Sequence, residues 1–451
     1  MMYMSSPIAT SAIKTNRTNV VGVGLKLKSR IRRDILNIDA KAADEWEKHA
    51  EAEFELWASK KNACDAAGIN DFYDMQQLAL ISWLLSGDSF TVIKQQTPSL
   101  MYPYSLRLHI IEADRVSTPT SKAYSFLTET KLDNGNLVYD GVEVDKSGAI
   151  VAYHISNNYP FEYKSGKTEW TRVEAYGKNT GLPNILQIMD SERPEQYRGV
   201  SYLVHVIEPL LQLRRYTESE LMAAVIESFF TVFVTSESQN LLGPLEETNP
   251  QDKVSQGPAD YEMGPGSINR LRPGESITSA DPKRPTSGFD SFVRAMCEQI
   301  GAALEVPADL LLKAFNASYS ASRAALLEAW KAFKMRRNWF VGDFCQPVYE
   351  IWLSEAVARG RITAPGFFTD PLIRAAWLGA DWIGPSQGSI DPVKELNAEI
   401  MAIKEGLTTR EQATVRLNGG SFDANIEQLL KEDEKMKLLD TSGKGVNGIN
   451  E

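Results

Sequence analysis

Apolar and polar positions along the 451 residues follow two different periods, and the changes between them divide the chain. Residues 34–86 read as helical. Trp46, Ala50, Phe54 and Trp57 recur at steps of three and four, which sets them on one helix face. A second helix is predicted from about 71 to 85, with Leu78, Ile81 and Leu85 together, ended by Gly87 and Asp88. From 89 to about 188 the period falls to two. Segments 90–93, 106–111 and 151–155 are rich in β-branched residues and predict strands. DNGN at 133–136 and DKSG at 145–148 are turn clusters, and the second predicts a hairpin between 141–144 and 149–154. The expectation is a mixed, mostly antiparallel β region.

Residues 201–235 return to helix, with Pro209 either in the first turn or at a kink. Residues 237–288 are dense in Pro, Gly, Ser, Asn and Gln, with a short paired-strand signal between 268–271 and 276–278. A polar insertion of that length between two helices is a functional or interaction element more often than a plain connection. Helices are then predicted over 289–304, ended by Pro307, and over 322–359, where Leu326, Trp330, Phe333, Phe340 and Phe344 share a face. Pro347 lies inside the second and predicts a kink or break. A small polar loop, 313–322, joins the two, and Ser320 or Ser322 is positioned to cap the long helix. Residues 391–440 read as short helices, and the tail 441–451 as disordered.

Length suggests two to four structural units. The net charge of −11 runs against a tight grip on duplex DNA, which calls for a basic excess. Three scattered cysteines, Cys64, Cys297 and Cys345, form neither a disulfide framework nor a zinc cluster, and fit a reducing cytoplasm. The first residues have no basic stretch followed by an apolar one, so no signal peptide is expected. The apolar stretch 221–235 is too short to span a bilayer and is broken by Glu227, so no membrane role is expected.

Catalytic signatures are wanting. VGVGLKL at 21–27 has Leu27 where a dinucleotide loop needs a third glycine, and reads as a turn or strand end. No phosphate-binding loop or nucleophile elbow is present. His49, His109, His154 and His205 lack metal-ligand spacing, and His109 and His154 read as sheet positions with satisfied hydrogen bonds. Glu112, Asp114, Glu143 and Asp145 read as solvated surface. No catalytic residue, cofactor or metal is expected, although a carboxylate site assembled in space stays open as an alternative.

One ordered series of segments carries more. It runs NVVGVG at 19–24, GDSF at 87–90, IEADRV at 111–116 and RGVS at 198–201. A helix bearing Tyr216, Glu218, Glu220, Ala223 and Ala224 follows. LRPGE at 271–275, IGAALEVP at 300–307, NASYSASRAALLE at 316–328, IDPVKE at 390–395 and GLT at 406–408 complete it. Together these resemble the lambda-type portal family of tailed bacteriophages, from about residue 19 to 435. The N-terminus is shorter than is usual for that family, which puts a capsid-contacting arm in question. Ala317 and Ser318 also stand between Asn316 and Tyr319 where the family has Asn-Tyr-Ser-Ser.

The resemblance implies a non-enzymatic α+β portal fold with the following parts: a β-rich wing (1–200), a stem helix (201–236), a clip (237–288), a second stem helix (289–312), a tunnel loop (313–322), a long kinked helix with wing return (323–385) and a helical crown (386–440). It implies a homo-oligomeric ring of about twelve subunits in the virion, made in the host cytoplasm. The implied partners are double-stranded DNA in transit, terminase, capsid or scaffold protein and a head–tail adaptor. Asn316, Ser318, Tyr319, Ser320 and Ser322 are the implied DNA-facing donors. Lys331, Lys334, Arg336 and Arg337 are candidates for the channel wall or for inter-subunit contact, and inter-subunit or solvent-facing pairing is the preferred reading. A different non-enzymatic connector is the remaining alternative.

Overall fold

A computed structural model describes residues 6–119, 129–159, 168–228, 232–236, 275–279, 288–315, 318–388 and 391–443. The described chain falls into two compact units, residues 1–210 with 297–451, and residues 211–296.

The first unit opens with helix α1 (Pro7–Val20), strand β1 (Lys26–Ser29), helix α2 (Ala40–Ala58) and helix α3 (Phe72–Ser86). Asp39 and Asp71 cap α2 and α3 by accepting from Ala42 N and Asp74 N. Ala50, Phe54 and Trp57 are buried on α2 as their spacing predicts, and Trp46 is half-buried. The face predicted for α3 is wrong. Phe72, Met75, Ala79, Leu80, Trp83 and Leu84 are buried, while Leu78 is 41% exposed. Helix α3 is apolar on nearly every side, so spacing alone does not select its inner face. Gly87, in the left-handed region at φ 92°, ends it.

Strands β2 (Asp88–Gln95) and β3 (Leu106–Ile111) follow, then β4 (Glu129–Lys131), β5 (Leu137–Tyr139), β6 (Val142–Val144), β7 (Ile150–Ser156), β8 (Trp170–Glu174) and β9 (Ile185–Met189). They form two antiparallel sheets, β3-β2-β9 and β4-β5-β6-β7-β8. The DNGN and DKSG turns join β4 to β5 and β6 to β7. Phe90, Ile111, Val142, Tyr153 and Ile185 pack between the sheets.

Helix α4 (Ile207–Ser228) carries Pro209 in its first turn. Strand β10 (Val232–Ser236) pairs antiparallel with β11 (Glu275–Ser279). The chain is therefore a strand where helix was expected at 232–235, and 276–278 pairs with 233–235. The run Val232, Val234 and Thr235 is β-branched, which favours a pleated strand over a helix. Residues 268–271 and most of the expected 237–288 insertion lie outside the described residues. Within the second unit Tyr216 stacks on Phe289, with ring centroids 5.7 Å apart.

Helices α5 (Phe289–Ala303) and α6 (Ala308–Leu312) lead to α7 (Tyr319–Phe340). A wide π turn, Val341–Cys345, joins α7 to α8 (Gln346–Ala358). The break predicted at Pro347 takes this form. Proline has no N–H for the carbonyl four residues back and crowds it, and one residue earlier Gln346 N–H already reaches five back, to Val341 O. The predicted apolar face of this helix pair closes the core. Phe54 meets Trp352 edge-on at 5.1 Å, and Phe72 stacks on Phe344 at 5.8 Å. Strand β12 (Ala380–Ile383) returns to pair with β1. Helices α9 (Pro392–Lys404), α10 (Arg410–Asn418) and α11 (Phe422–Gly443) end the described chain. The last spans 22 residues and runs into the stretch read as tail.

Candidate functional site

The polar loop begins where α6 ends. Lys313 takes the left-handed conformation at φ 55° and closes that helix. Its Nζ donates to Thr15 Oγ1 at 2.8 Å, and Ser11 Oγ donates to Leu311 O at 2.7 Å. Helix α1 thus holds the base of the loop at two points. Phe315 is 54% exposed, and Asn316 and Ala317 lie outside the described residues.

The loop is shorter than expected. Helix α7 begins at Tyr319, so Ser320 and Ser322 belong to its first turn. Ser318, not Ser320 or Ser322, is the cap, accepting from Ala321 N. Ser318 and Ser320 are exposed and their hydroxyls lie 3.4 Å apart, while Ser322 is half-buried. Tyr319 is helical in backbone, and its side chain is outside what is described.

The four cations of α7 split into two kinds. Lys331 is exposed and pairs with Glu328 at 2.6 Å, and Lys334 is exposed. Arg336 is only 6% exposed. It bonds Asn16 Oδ1 at 3.0 Å and Glu305 Oε2 at 2.6 Å, and lies over the Tyr202 ring. Arg337 donates to the carbonyls of Val20, Asn19 and Pro385 at 2.8, 2.7 and 2.9 Å. Burial lowers its pKa to about 10, so it stays charged at neutral pH. A solvated helix face describes the lysines but not the arginines, which bind α1 and the NVVGVG segment to α7.

Three other segments singled out in the sequence meet at Arg198. Its guanidinium bonds Asp88 at 2.5 and 3.2 Å, and the carbonyls of Val116 and Ala113 at 2.8 and 3.1 Å. It also lies over the Phe90 ring at 5.2 Å. Asp88 is fully buried. GDSF, IEADRV and RGVS are therefore one joint between α3, the β sheets and the chain entering α4.

Glu143 corrects the reading of the carboxylates as surface. It is fully buried and accepts from Arg172 at 2.7 Å, Asn136 at 2.7 Å and Asn134 at 3.0 Å, with His154 Nε2 at 3.1 Å. Burial alone raises its pKa, but the bonds from Arg172, Asn136 and Asn134 outweigh that and bring it to about 2. Cys64, Cys297 and Cys345 are free and buried, and no cluster of His, Cys, Asp and Glu among the described residues is fit to hold a metal. No helix among them is long and apolar enough to cross a membrane.

The decisive comparison is with a family model described as phage portal protein, lambda family, which matches residues 1–337. The chain belongs to that family. Portal protein B of Escherichia phage lambda is 24% identical over 443 residues, covering 94% of this chain and 80% of the relative. A probable portal protein of Halomonas phage phiHAP-1 is 26% identical over 430 residues, covering 94% and 76%. Among solved structures, the virion of a native gene transfer agent particle aligns over 92% of this chain and 90% of the matched chain, with a TM-score of 0.45 and 13% identity. A portal protein of the HK97 family from Corynebacterium diphtheriae aligns over 88% and 97%, with a TM-score of 0.33 and 10% identity. The portal fold of this chain is α+β, with a β-rich N-terminal half and a helical C-terminal one.

Proposed function

We propose that this portal protein is the subunit of a ring of about twelve copies at one capsid vertex. Double-stranded DNA enters and leaves through it, terminase and tail components dock on it, and it performs no catalysis. The virion is its place of action, after synthesis in the host cytoplasm. In this reading residues 1–200 and 323–385 form the wing, 201–236 and 289–312 the stem, 237–288 the clip and 386–440 the crown.

The observation that carries the assignment of the working part is the mounting of the 313–322 segment. One end is pinned to α1 by Lys313 and Ser11, and the other is capped by Ser318 onto a helix that Arg336 and Arg337 also tie to α1. Short neutral donors held on a stiff frame can touch phosphate without gripping it. Ser318 and Ser320 are the exposed members, and Asn316 and Tyr319 complete the proposed set. Ser322, half-buried, has a lesser share.

The test is complementation of a portal-deleted phage with a chain lacking 315–320. Rings should still assemble, and packaged DNA per particle should fall sharply. Wild-type packaging and retention would remove the loop from the channel.

A further inference from the structure

Helix α9 is amphipathic the wrong way round for a helix in water. Its carboxylates face its own chain. Glu395 and Glu399 have side chains only 19% and 14% exposed, paired to Arg323 at 3.2 Å and to Arg416 at 3.0 Å. On the adjoining face Val393, Leu396 and Ile400, spaced by three and four, are 70%, 52% and 42% exposed, with Met401 beside them at 67%. No residue of α9 is buried. A helix that turns its carboxylates inward and shows its apolar stripe outward presents a surface suited to a partner.

Helix α11 offers a second such stripe. Ile426, Leu429, Leu430 and Met436 share a face and are 40–59% exposed. The two stripes differ in charge. With Glu395 and Glu399 turned inward, the outer rim of α9 carries the exposed Lys394, which also pairs with Asp391 at 3.0 Å, and the exposed Lys404. The stripe of α11 holds Asp433 and Lys437 among its apolar residues and is edged by Glu427, which Lys431 of the same helix pairs at 3.1 Å, and by Glu434, so three carboxylates stand against one lysine on that face.

We propose that α9 of one copy docks its apolar stripe on that of α11 of a neighbouring copy, with the lysines of the first against the carboxylates of the second. Anchors at steps of three and four are what helix-on-helix docking requires. Like stripes meeting each other would oppose like charges, whereas unlike stripes make a head-to-tail contact that repeats from copy to copy and closes into a ring. The docking rests on the ring reading above, and specifies one surface that builds the ring.

The full-length chain carrying both Leu396→Cys and Leu430→Cys tests it, since the three native cysteines are buried. Mild oxidation should give a denaturing-gel ladder of dimer, trimer and higher species, absent with either single variant. The charge-reversed variant K394E/K404E should raise the concentration for half-assembly about tenfold, and adding E427K/E434K should restore it. A wild-type multimer in native mass spectrometry whose double-cysteine variant gives no ladder, or only an internal disulfide running as monomer, overturns the α9–α11 docking and leaves the ring standing. A wild-type chain that stays monomeric at every concentration overturns the ring reading, and the docking with it.

Discussion

Gly199 is where a single methyl group should do most damage. A Cβ built on it lies 1.8 Å from the carbonyl oxygen of Gly87 and 2.3 Å from its carbon. Carbon contacts settle at about 3.5 Å, so the two backbones must part by more than about 1 Å. Neither side has a flexible side chain to give way. Gly87 is itself held at φ 92° as the residue that caps α3 and enters β2. Parting them also strains the Arg198–Asp88 pair and the Gly199 N–H bond to Asp88 at 3.2 Å. Overpacking costs about 1–3 kcal/mol, and a weakened charge-assisted bond to a buried carboxylate adds about 1.5–3 kcal/mol. Gly199→Ala should thus lose about 3–5 kcal/mol. Gly181→Ala is the control. It also has a positive φ, 66°, but nothing within 4 Å, so only backbone strain of about 1 kcal/mol applies. Urea unfolding followed by tryptophan fluorescence reads both, compared at equal m-value. A Gly199→Ala midpoint as high as that of Gly181→Ala would refute the close-contact account of this joint.

Arg172→Met should cost about 2 kcal/mol by leaving buried Glu143 short of its strongest partner, and Glu143→Gln in the same chain should recover part of it, read by the same urea titration. His154 is buried, which lowers its pKa against the pull of Glu143. The unfolded chain therefore takes the proton first, and stability is full above about pH 6.5 and falls below it. Glu143, lowered to about 2, contributes fully above its unfolded value of 4.5 and loses that contribution between there and pH 2. The two effects add, so His154→Gln should flatten the stability profile between pH 7 and 5 only, and an unchanged slope there removes His154 as the cause. Arg336→Met should cost about 3 kcal/mol, because it orphans Asn16 Oδ1 in the core. A double-mutant cycle with Asn16→Ala should give coupling above about 1 kcal/mol, and additivity would contradict the bond.

Strands β2, β3, β6 and β7 and the DNGN and DKSG turns were legible because β-branched alternation and turn residues act over a few residues, whereas β10 was taken for the end of a helix. Helix α1 was not. Its inward face mixes Ala9, Ala12, Ile13 and Val20 with Thr15 and Asn16, fully or nearly fully buried, and small and polar residues make that apolar period weak. Those two residues are inside because they serve Lys313 and Arg336, which are about 300 residues away in sequence. Arg336 and Arg337 failed as a helix-surface cluster for the same reason. Their carbonyl and carboxylate partners come from α1, from the turn after α5 and from the segment after β12, and no spacing rule reaches them. Glu143 looked like surface because the residue types around it in sequence are polar. The sheet brings Arg172 beside it from two strands away and turns a solvent residue into a buried ion. The motif segments GDSF, IEADRV and RGVS were each weak alone, and their order in the chain hid that one guanidinium holds all three.

The fate of the arginines bears on how such a chain would handle DNA. Arg30, Arg172, Arg198, Arg336, Arg337 and Arg361 each bond a carboxylate or carbonyl of their own chain. Bidentate phosphate grips need such side chains free. Engaged in this way, these six offer no free fork to a phosphate, and the overall charge of −11 adds no attraction for a polyanion. Lys331 and Lys334 are the exposed cations of α7, and Lys331 already pairs with Glu328. Each phosphate neutralised adds about 0.9 to the salt slope of duplex binding. If these lysines serve subunit contact rather than DNA, K331E/K334E should leave that slope within about 0.5 of wild type while shifting ring assembly. Fluorescence anisotropy with a short duplex, read across a salt series on assembled protein, measures it. A fall of about 2 in the slope would make both lysines phosphate contacts, and the account of a channel that slides DNA without cationic handholds would fail.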